Sequence, residues 1–157
     1  AMLAEYPDAR LVQTHRDPLK TNASLASLVT HLRIMASDEV DPSAIAKQWS
    51  TWNARALDEV VRVRRSGLIR EDRIIDVSFY EFMDAPLKQV QAIYDFFGLD
   101  LSAATKRKMD AYLAAHTAEQ HGGHRYRFSD FGLDLRAERE RVRAYQEYFD
   151  VRSETLR

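Results

Sequence analysis

A short run of charged and polar residues near the start of the chain carries the strongest chemical signal. His15-Arg16-Asp17-Pro18 is followed by Ser24, so that Arg16 lies two residues before a proline and eight before a serine. A guanidinium is a planar, bidentate donor suited to a phosphate-type anion. A helix that begins at Asp17-Pro18 would add the N–H groups and positive dipole end of its N-terminus. The pattern therefore predicts an anion site at Arg16 and Ser24.

On spacing alone a plainer alternative is favoured. In that alternative, Arg16 pairs with Asp17 or with a neighbouring carboxylate, and the Ser24 hydroxyl is merely solvated. Long cationic side chains usually find a carboxylate partner or water, so a bidentate donor is not by itself a ligand site. Both alternatives stay open at this point.

Three histidines form the other group that could bind an ion. His116, His121 and His124 lie close together in the sequence, and three imidazoles can ligate Zn²⁺. Their spacing matches no fixed helical or hairpin arrangement, and His-Gly-Gly-His is typical of a solvated loop. We therefore expect no metal site, with an anion contact by His124 and Arg125 as the alternative role of this segment.

The elements that must position these residues follow from hydropathy and turn signals. Apolar and β-branched residues predict strands over 9–15 and 73–79. Asp17 as N-cap and Pro18 at the first helical position predict a helix to about residue 36. Further helices are expected over about 43–65, 86–97, 102–113 and 135–149. Strands separated by helices imply parallel pairing, so we predict a mostly helical α/β chain with about two parallel strands.

Apolar spacing also predicts which helix faces are buried. In the helix that begins at Pro18, the predicted apolar face consists of Leu25, Leu28, Val29, Leu32 and Met35. The opposite face carries Lys20, Ser24, Ser27 and His31 and is predicted to be polar. In the next helix, Trp49 and Trp52 fall within one apolar stripe and are expected in the core.

Length and composition limit the functional classes. The chain has 157 residues, 45% of them hydrophobic, which suffices for one domain with a buried core. A formal net charge of -1 gives no reason to expect nucleic acid or a membrane surface as a partner. The absence of cysteine excludes disulfides and thiol nucleophiles. No membrane span or signal peptide is apparent, so a cytoplasmic location is expected.

Three segments together resemble the bacterial branch of the PAPS-dependent sulfotransferases. The segment from Tyr6 to Pro18, with Ser24, is similar to the strand-to-helix motif that binds the 3′-phosphate in that family. The segment 76–98 resembles the family's strand ending in Tyr-Glu and the following helix ending in Phe-Gly. Residues 123–132 are similar, more weakly, to the segment that closes over the nucleotide, where related enzymes carry Arg-Lys-Gly. The resemblance covers roughly residues 5–150.

This resemblance implies a partial P-loop-NTPase-like fold and a nucleotide co-substrate. The family transfers a sulfuryl group from PAPS to an acceptor hydroxyl or amine and releases PAP. Carried over residue by residue, it implies that Arg16 and Ser24 bind the 3′-phosphate, that Tyr80 lies by the adenine, and that Arg125 contributes to nucleotide binding. The acceptor and the catalytic base are not assigned.

One part of the family pattern is missing. The family holds the 5′-phosphosulfate on a Pro-x-x-Gly-Thr loop, whereas the glycines of this chain are Gly67, Gly98, Gly122, Gly123 and Gly132. None of them is predicted to follow a strand and open a helix. We therefore expect a single incomplete domain over 1–157, equivalent to the C-terminal portion of a sulfotransferase and inactive alone. It would act as a homo-oligomer or with a separate N-terminal half; the alternative is a non-catalytic helical interaction module.

Overall fold

The computed structural model describes residues 2–116 and 127–156. The strands are β1 (Leu11–His15) and β2 (Ile74–Ser78). The helices are α1 (Met2–Glu5), α2 (Pro18–Ile34), α3 (Pro42–Arg65), α4 (Phe79–Asp84), α5 (Pro86–Phe96), α6 (Ala103–Ala115), α7 (Leu135–Arg141) and α8 (Arg143–Tyr148). Short 3₁₀ turns lie at Glu71–Arg73 and Phe128–Phe131. This confirms the predicted class, a mostly helical α/β chain.

The two strands form a parallel pair, as predicted. Leu11 lies opposite Ile74, and the register continues to His15 opposite Ser78. Both strands therefore end at the same edge, and the chain leaves β1 directly into α2 and β2 directly into α4. Side chains alternate in burial along β1, as expected for a strand with one covered face.

Contacts divide the chain into two compact units. The described residues of the first unit are 2–15 and 67–116, and those of the second unit are 16–66 and 127–156. The first unit contains the sheet, α4, α5 and α6, and the second contains α2, α3, α7 and α8. The prediction of a single incomplete domain over 1–157 stays a prediction.

The core of the second unit lies where α2 packs on α3, and alanines of both helices form part of it. The buried residues of this cluster are Leu19, Ala23, Ala26, Ala46, Ala54, Phe128, Phe131 and Val142. Alanines at a helix contact let two backbones approach closely, because the separation of packed helices depends on the side chains between them. The face of α2 that faces this core is therefore the one with small residues.

The predicted apolar face of α2 is wrong for this reason. Leu28 and Leu32 are exposed, and Met35, just after the helix, is 78% exposed. Ser27, on the predicted polar face, is buried instead. Counting large apolar residues gives no weight to small or polar ones, and Ala23, Ala26, Asn22, Ser27 and Thr30 make up most of the buried side here.

The bounds of α3 agree with the prediction, but its buried side is displaced. Ile45, Ala46, Ser50, Ala54 and Val61 are buried. Trp52 is 50% exposed, so its predicted core position is wrong, and it packs edge-on against the half-buried Trp49.

Two further boundaries differ from the predictions. The predicted single helix over 135–149 is broken at the buried Val142, where α7 ends and α8 begins. The short helix α4 was not predicted at all. Gly67 and Gly98 follow α3 and α5 with φ of 68° and 63°, the left-handed conformation that ends a helix. Within the described ranges, no helix is long and apolar enough to cross a membrane.

Candidate functional site

The junction between β1 and α2 has the geometry that the sequence predicted. Asp17 is the N-cap of α2, and its side chain accepts a hydrogen bond from the Leu19 N–H at 3.0 Å. Pro18 occupies the first helical turn, where its missing N–H has no cost. Arg16 therefore lies between the carboxyl end of a strand and the start of a 17-residue helix.

Asp17 is the central anion of this junction. Its side chain is 0% exposed. Arg139 of α7 donates to both carboxylate oxygens, at 2.7 Å and 3.0 Å. The backbone N–H of Glu154 donates to Oδ2 at 2.6 Å. A fully buried carboxylate is stable only with such compensation, so Asp17 is a structural anchor that fixes α7 and the chain end to α2.

Arg16 is paired with the carboxylate of Glu154. Its Nε donates to Oε1 at 2.8 Å and its Nη2 donates to Oε2 at 3.2 Å, a bidentate arrangement. The Arg16 side chain is 30% exposed and that of Glu154 is 20% exposed. The plainer alternative, pairing with a neighbouring carboxylate, is thus observed, with Glu154 rather than Asp17 as the partner. The anion role of Arg16 stays a prediction.

The C-terminal segment, residues 150–156, brings Glu154 to this place. The segment leaves α8 through Asp150, whose φ is 51°. The Val151 N–H donates to Gln146 O at 2.9 Å, and the Gln146 side chain donates to Val151 O at 3.0 Å. Val151 is buried in a small cluster with Val61 and Tyr145. Glu154 therefore lies between Val151, which is buried, and Leu156, which packs against the cluster around α2 and α3.

Neither Arg139 nor Glu154 was predicted as a partner in this cluster. Arg16 and Glu154 are 138 residues apart, and Asp17 and Arg139 are 122 residues apart. No periodicity or local motif signals pairings at such separations. An arginine that follows a strand and precedes an Asp-Pro start predicts a carboxylate partner, but not which one.

Ser24 lies in the second turn of α2, in the same unit as Arg16, and is half-buried. Of the other residues predicted on its face, Lys20 is half-buried and His31 is exposed. The His31 ring nitrogen Nδ1 is 2.7 Å from Ser27 O, so this histidine is bonded within its own helix. Of the four residues on the predicted polar face, Lys20, Ser24 and His31 are therefore accessible to solvent, and Ser27 is not.

The first unit contains Tyr80 and a buried histidine. Tyr80 lies in the first turn of α4, directly after β2, rather than at a strand end as the resemblance implied. It is half-buried and packs edge-on against Phe79 with ring centroids 5.7 Å apart. His15 is buried at the end of β1, and its Nε2 is 2.9 Å from Asp76 Oδ1 on β2. His15 thus links the two strands.

Several predicted site residues lie outside the described residues. They are Arg125, His121 and His124, and Gly122 and Gly123 lie outside the described residues as well. His116 is described; its ring stacks on Tyr112 with centroids 4.0 Å apart. Over residues 2–116 and 127–156, no three His, Asp or Glu side chains are grouped as a metal site would require. The described glycines 67, 98 and 132 follow helical segments rather than opening one after a strand.

Comparisons with known proteins place this geometry in context. A family profile described as "Sulfotransferase family" matches residues 1–103. The structure is similar to that of sulfotransferase STF9 from Mycobacterium avium, with a TM-score of 0.83, 26% identity and 96% of this chain covered. It is also similar to sulfotransferase STF1 from Mycobacterium tuberculosis H37Rv, with a TM-score of 0.68, 26% identity and 89% covered. No curated protein matches significantly.

The two solved structures are much longer than this chain. The matched region is 38% of the first protein and 34% of the second. The chain therefore spans little more than a third of their length.

Proposed function

The chain belongs to the sulfotransferase family and has its fold, and from this premise we propose that it binds the 3′-phosphate of PAPS or PAP through Arg16 and Ser24. The family generally uses PAPS as sulfuryl donor. The observation that carries the proposal is the position of Arg16 between β1 and the Asp17-capped start of α2. Open α/β sheets bind their ligands outside the carboxyl ends of the strands, and a helix N-terminus favours an anion there.

Tyr80 and Arg125 are proposed in the roles that the family resemblance gives them. Tyr80 would contact the adenine, because an aromatic ring offers a stacking or edge contact to a base. Arg125 would contribute a cation to the nucleotide. Tyr80 and Arg16 lie in different compact units, so the two assignments are tested separately, with Tyr80→Leu and Arg16→Ala in independent titrations.

The experiment is calorimetric titration with adenosine 3′,5′-bisphosphate. Loss of a hydrogen bond to a charged group typically costs about 1.5–3 kcal/mol, so Arg16→Ala should weaken binding at least about tenfold. Arg33→Ala, which removes an exposed cation near the end of the same helix, is the matched control and should bind as the wild type does. Thermal melts of both variants check that the fold is retained. Absence of wild-type binding, or equal binding by Arg16→Ala, would refute the proposal.

We further propose that these 157 residues do not transfer sulfate by themselves. The sequence contains no Pro-x-x-Gly-Thr loop to hold a 5′-phosphosulfate, and no catalytic base is assigned. Positioning of reactants is worth up to ~7–11 kcal/mol of the barrier, which an unheld sulfuryl group would lose. Incubation with labelled PAPS and a panel of phenols, alcohols and amines should give no labelled product. Turnover that Arg16→Ala abolishes would contradict this and would direct attention to Gly122 and Gly123.

A homo-oligomer or a separate N-terminal half is the partner that we propose besides the nucleotide. Leu28 and Leu32 on α2 and Met35 after it are exposed. This exposure favours self-association, and it also favours the second candidate function, a non-catalytic interaction module. Exposed apolar rows at helical spacing favour association. Light scattering of the wild type should give more than the monomer mass, and Leu32→Glu should lower it. A wild type that stays monomeric at high concentration would refute self-association.

A further inference from the structure

A negatively charged side chain, that of Glu154, faces Arg16. A bidentate hydrogen bond to Glu154 engages the Nε and Nη2 of its guanidinium, and the partner is a full carboxylate. A phosphate group would seek the same kind of bidentate contact from the same side chain. Glu154 therefore presents to Arg16 the chemistry that an anionic ligand would present.

This carboxylate is delivered by the fold and is not a chance surface contact. The backbone N–H of Glu154 donates to the buried Asp17 at 2.6 Å. Asp17 is in turn fixed by the bidentate donation from Arg139. Val151, three residues earlier, is buried. The backbone of Glu154 is thus fixed at the start of α2, and its carboxylate reaches Arg16 from there.

We infer that Glu154 is a negative determinant of affinity at Arg16, a carboxylate that an incoming 3′-phosphate must displace or approach against charge repulsion. The inference rests on the proposed nucleotide site. The direction of the expected change in affinity does not depend on whether the carboxylate moves aside. If Glu154 leaves, the ion pair with Arg16 is lost; if it remains, a negative charge lies beside the phosphate dianion. Either way, removal of this charge should raise affinity.

Glu154→Gln is the variant that isolates the charge. The amide has the size of the carboxylate and can still accept a hydrogen bond from Arg16, while the backbone contact to Asp17 does not involve the side chain. We expect adenosine 3′,5′-bisphosphate to bind roughly tenfold more tightly than to the wild type, the effect of one charge-assisted contact. Glu154→Asp, which keeps the charge on a shorter side chain, should give a smaller gain.

Two controls separate this charge effect from a structural one. Glu147→Gln removes an exposed carboxylate of α8 that pairs with Arg143 at 3.7 Å, and should leave binding unchanged. Adenosine 5′-monophosphate lacks the 3′-phosphate, so Glu154→Gln should not improve its binding. The gain for the bisphosphate should also shrink at high salt, because a charge repulsion at a partly exposed site is screened.

The outcomes distinguish the inference from the proposed function. Arg16-dependent binding by the wild type, with equal or weaker binding by Glu154→Gln, overturns the inference and leaves the proposed function standing. An equal gain for adenosine 5′-monophosphate also overturns it. If neither the wild type nor Glu154→Gln binds the bisphosphate, both fail. Binding that only Glu154→Gln shows would contradict nucleotide binding by the wild type, as proposed above, and would support the inference that the charge of Glu154 opposes the phosphate.

Discussion

Among the described residues, the first unit buries few side chains, whereas the second unit has two buried clusters that both contact the half-buried Leu57. Among the described residues, the buried side chains of the first unit are His15, Ile74, Val77 and Leu101. The second unit buries the α2–α3 cluster and also charged and polar groups, including Asp17, Ser50 and Glu138. The apolar side chains Leu87, Val90, Ile93 and Tyr94 of α5 are only half-buried.

The polar side chains in the interior of the second unit are paired with one another. Ser50 donates a hydrogen bond to Glu138, and Arg141 donates to the other carboxylate oxygen of Glu138 at 2.9 Å. Asn53 donates to Asn22 Oδ1 at 2.7 Å, beside this pair. Buried polar groups that are fully paired rigidify a core, and the same groups unpaired destabilise it. Arg16 therefore belongs to the unit whose geometry is set by satisfied buried charges.

The largest loss of stability is expected for Asp17→Ala, in the second unit. It removes the carboxylate that accepts from Leu19, Arg139 and Glu154. Removing one partner of a buried ion pair typically destabilises by about 3–5 kcal/mol. Urea unfolding should show a loss of this size, whereas the exposed Asp58→Ala should change stability by no more than about 0.5 kcal/mol. Equal losses for the two variants would show that the buried pair is not what stabilises the second unit.

A smaller loss is expected for Ser50→Ala. Ser50 is buried and donates to the buried Glu138, so the variant leaves a carboxylate short of one donor. An unsatisfied buried group costs about 1–3 kcal/mol. Thr51→Ala is the matched control, because the Thr51 hydroxyl donates only to a carbonyl of its own helix, Lys47 O. Chemical unfolding of the two variants should rank Ser50→Ala below Thr51→Ala in stability; the reverse ranking would contradict the role of the Ser50–Glu138 contact.

The local features of the fold were predictable from the sequence because their causes are local. Asp17-Pro18 marks the start of α2, and Ser102 caps α6 by accepting from the Thr105 N–H at 3.1 Å. The strands were predicted because their β-branched residues lie between turn signals, and strands separated by helices implied parallel pairing.

The buried faces and the partners of the site were not predictable in the same way. The core side of α2 is marked by alanines, which apolar counting does not register. Trp52 is exposed despite its apolar spacing. Arg139 and Glu154 reach the Arg16-Asp17 pair only through tertiary folding. Local patterns therefore predicted the candidate anion residues, whereas the charges that balance them depend on the assembled second unit.

The first unit gives a third test. Ile74 is buried on β2, and Ile→Val substitutions in cores typically cost about 0.5–1.5 kcal/mol. Few side chains of the first unit are buried, and half-buried neighbours can move to fill a small cavity. The loss of stability in Ile74→Val should therefore lie close to the lower limit of this range. The matched change in the second unit is Ile45→Val on α3, at a fully buried position, and should cost more. Calorimetric melts of the two variants test this order; a larger loss at Ile74 would mean that the first unit is the better packed.

The smallest effect should come from an exposed ion pair. The hydrogen bond from Arg62, at 2.7 Å, lowers the pKa of Glu59 below its ordinary value. A pKa lowered in the folded state means that this contribution to stability is present above the unfolded pKa of about 4.3 and is lost as the pH falls through the folded value.

Because the Glu59 side chain is exposed, water and salt weaken this contribution. Glu59→Gln should therefore lower the urea midpoint slightly at neutral pH and not at all at a pH below the folded pKa. Asp72→Asn removes the comparable exposed pair of the first unit, in which Arg70 Nε donates to Asp72 Oδ1 at 2.9 Å, and should have as small an effect. If Glu59→Gln destabilised the protein as much as Asp17→Ala, burial would not be what distinguishes the charges of the second unit.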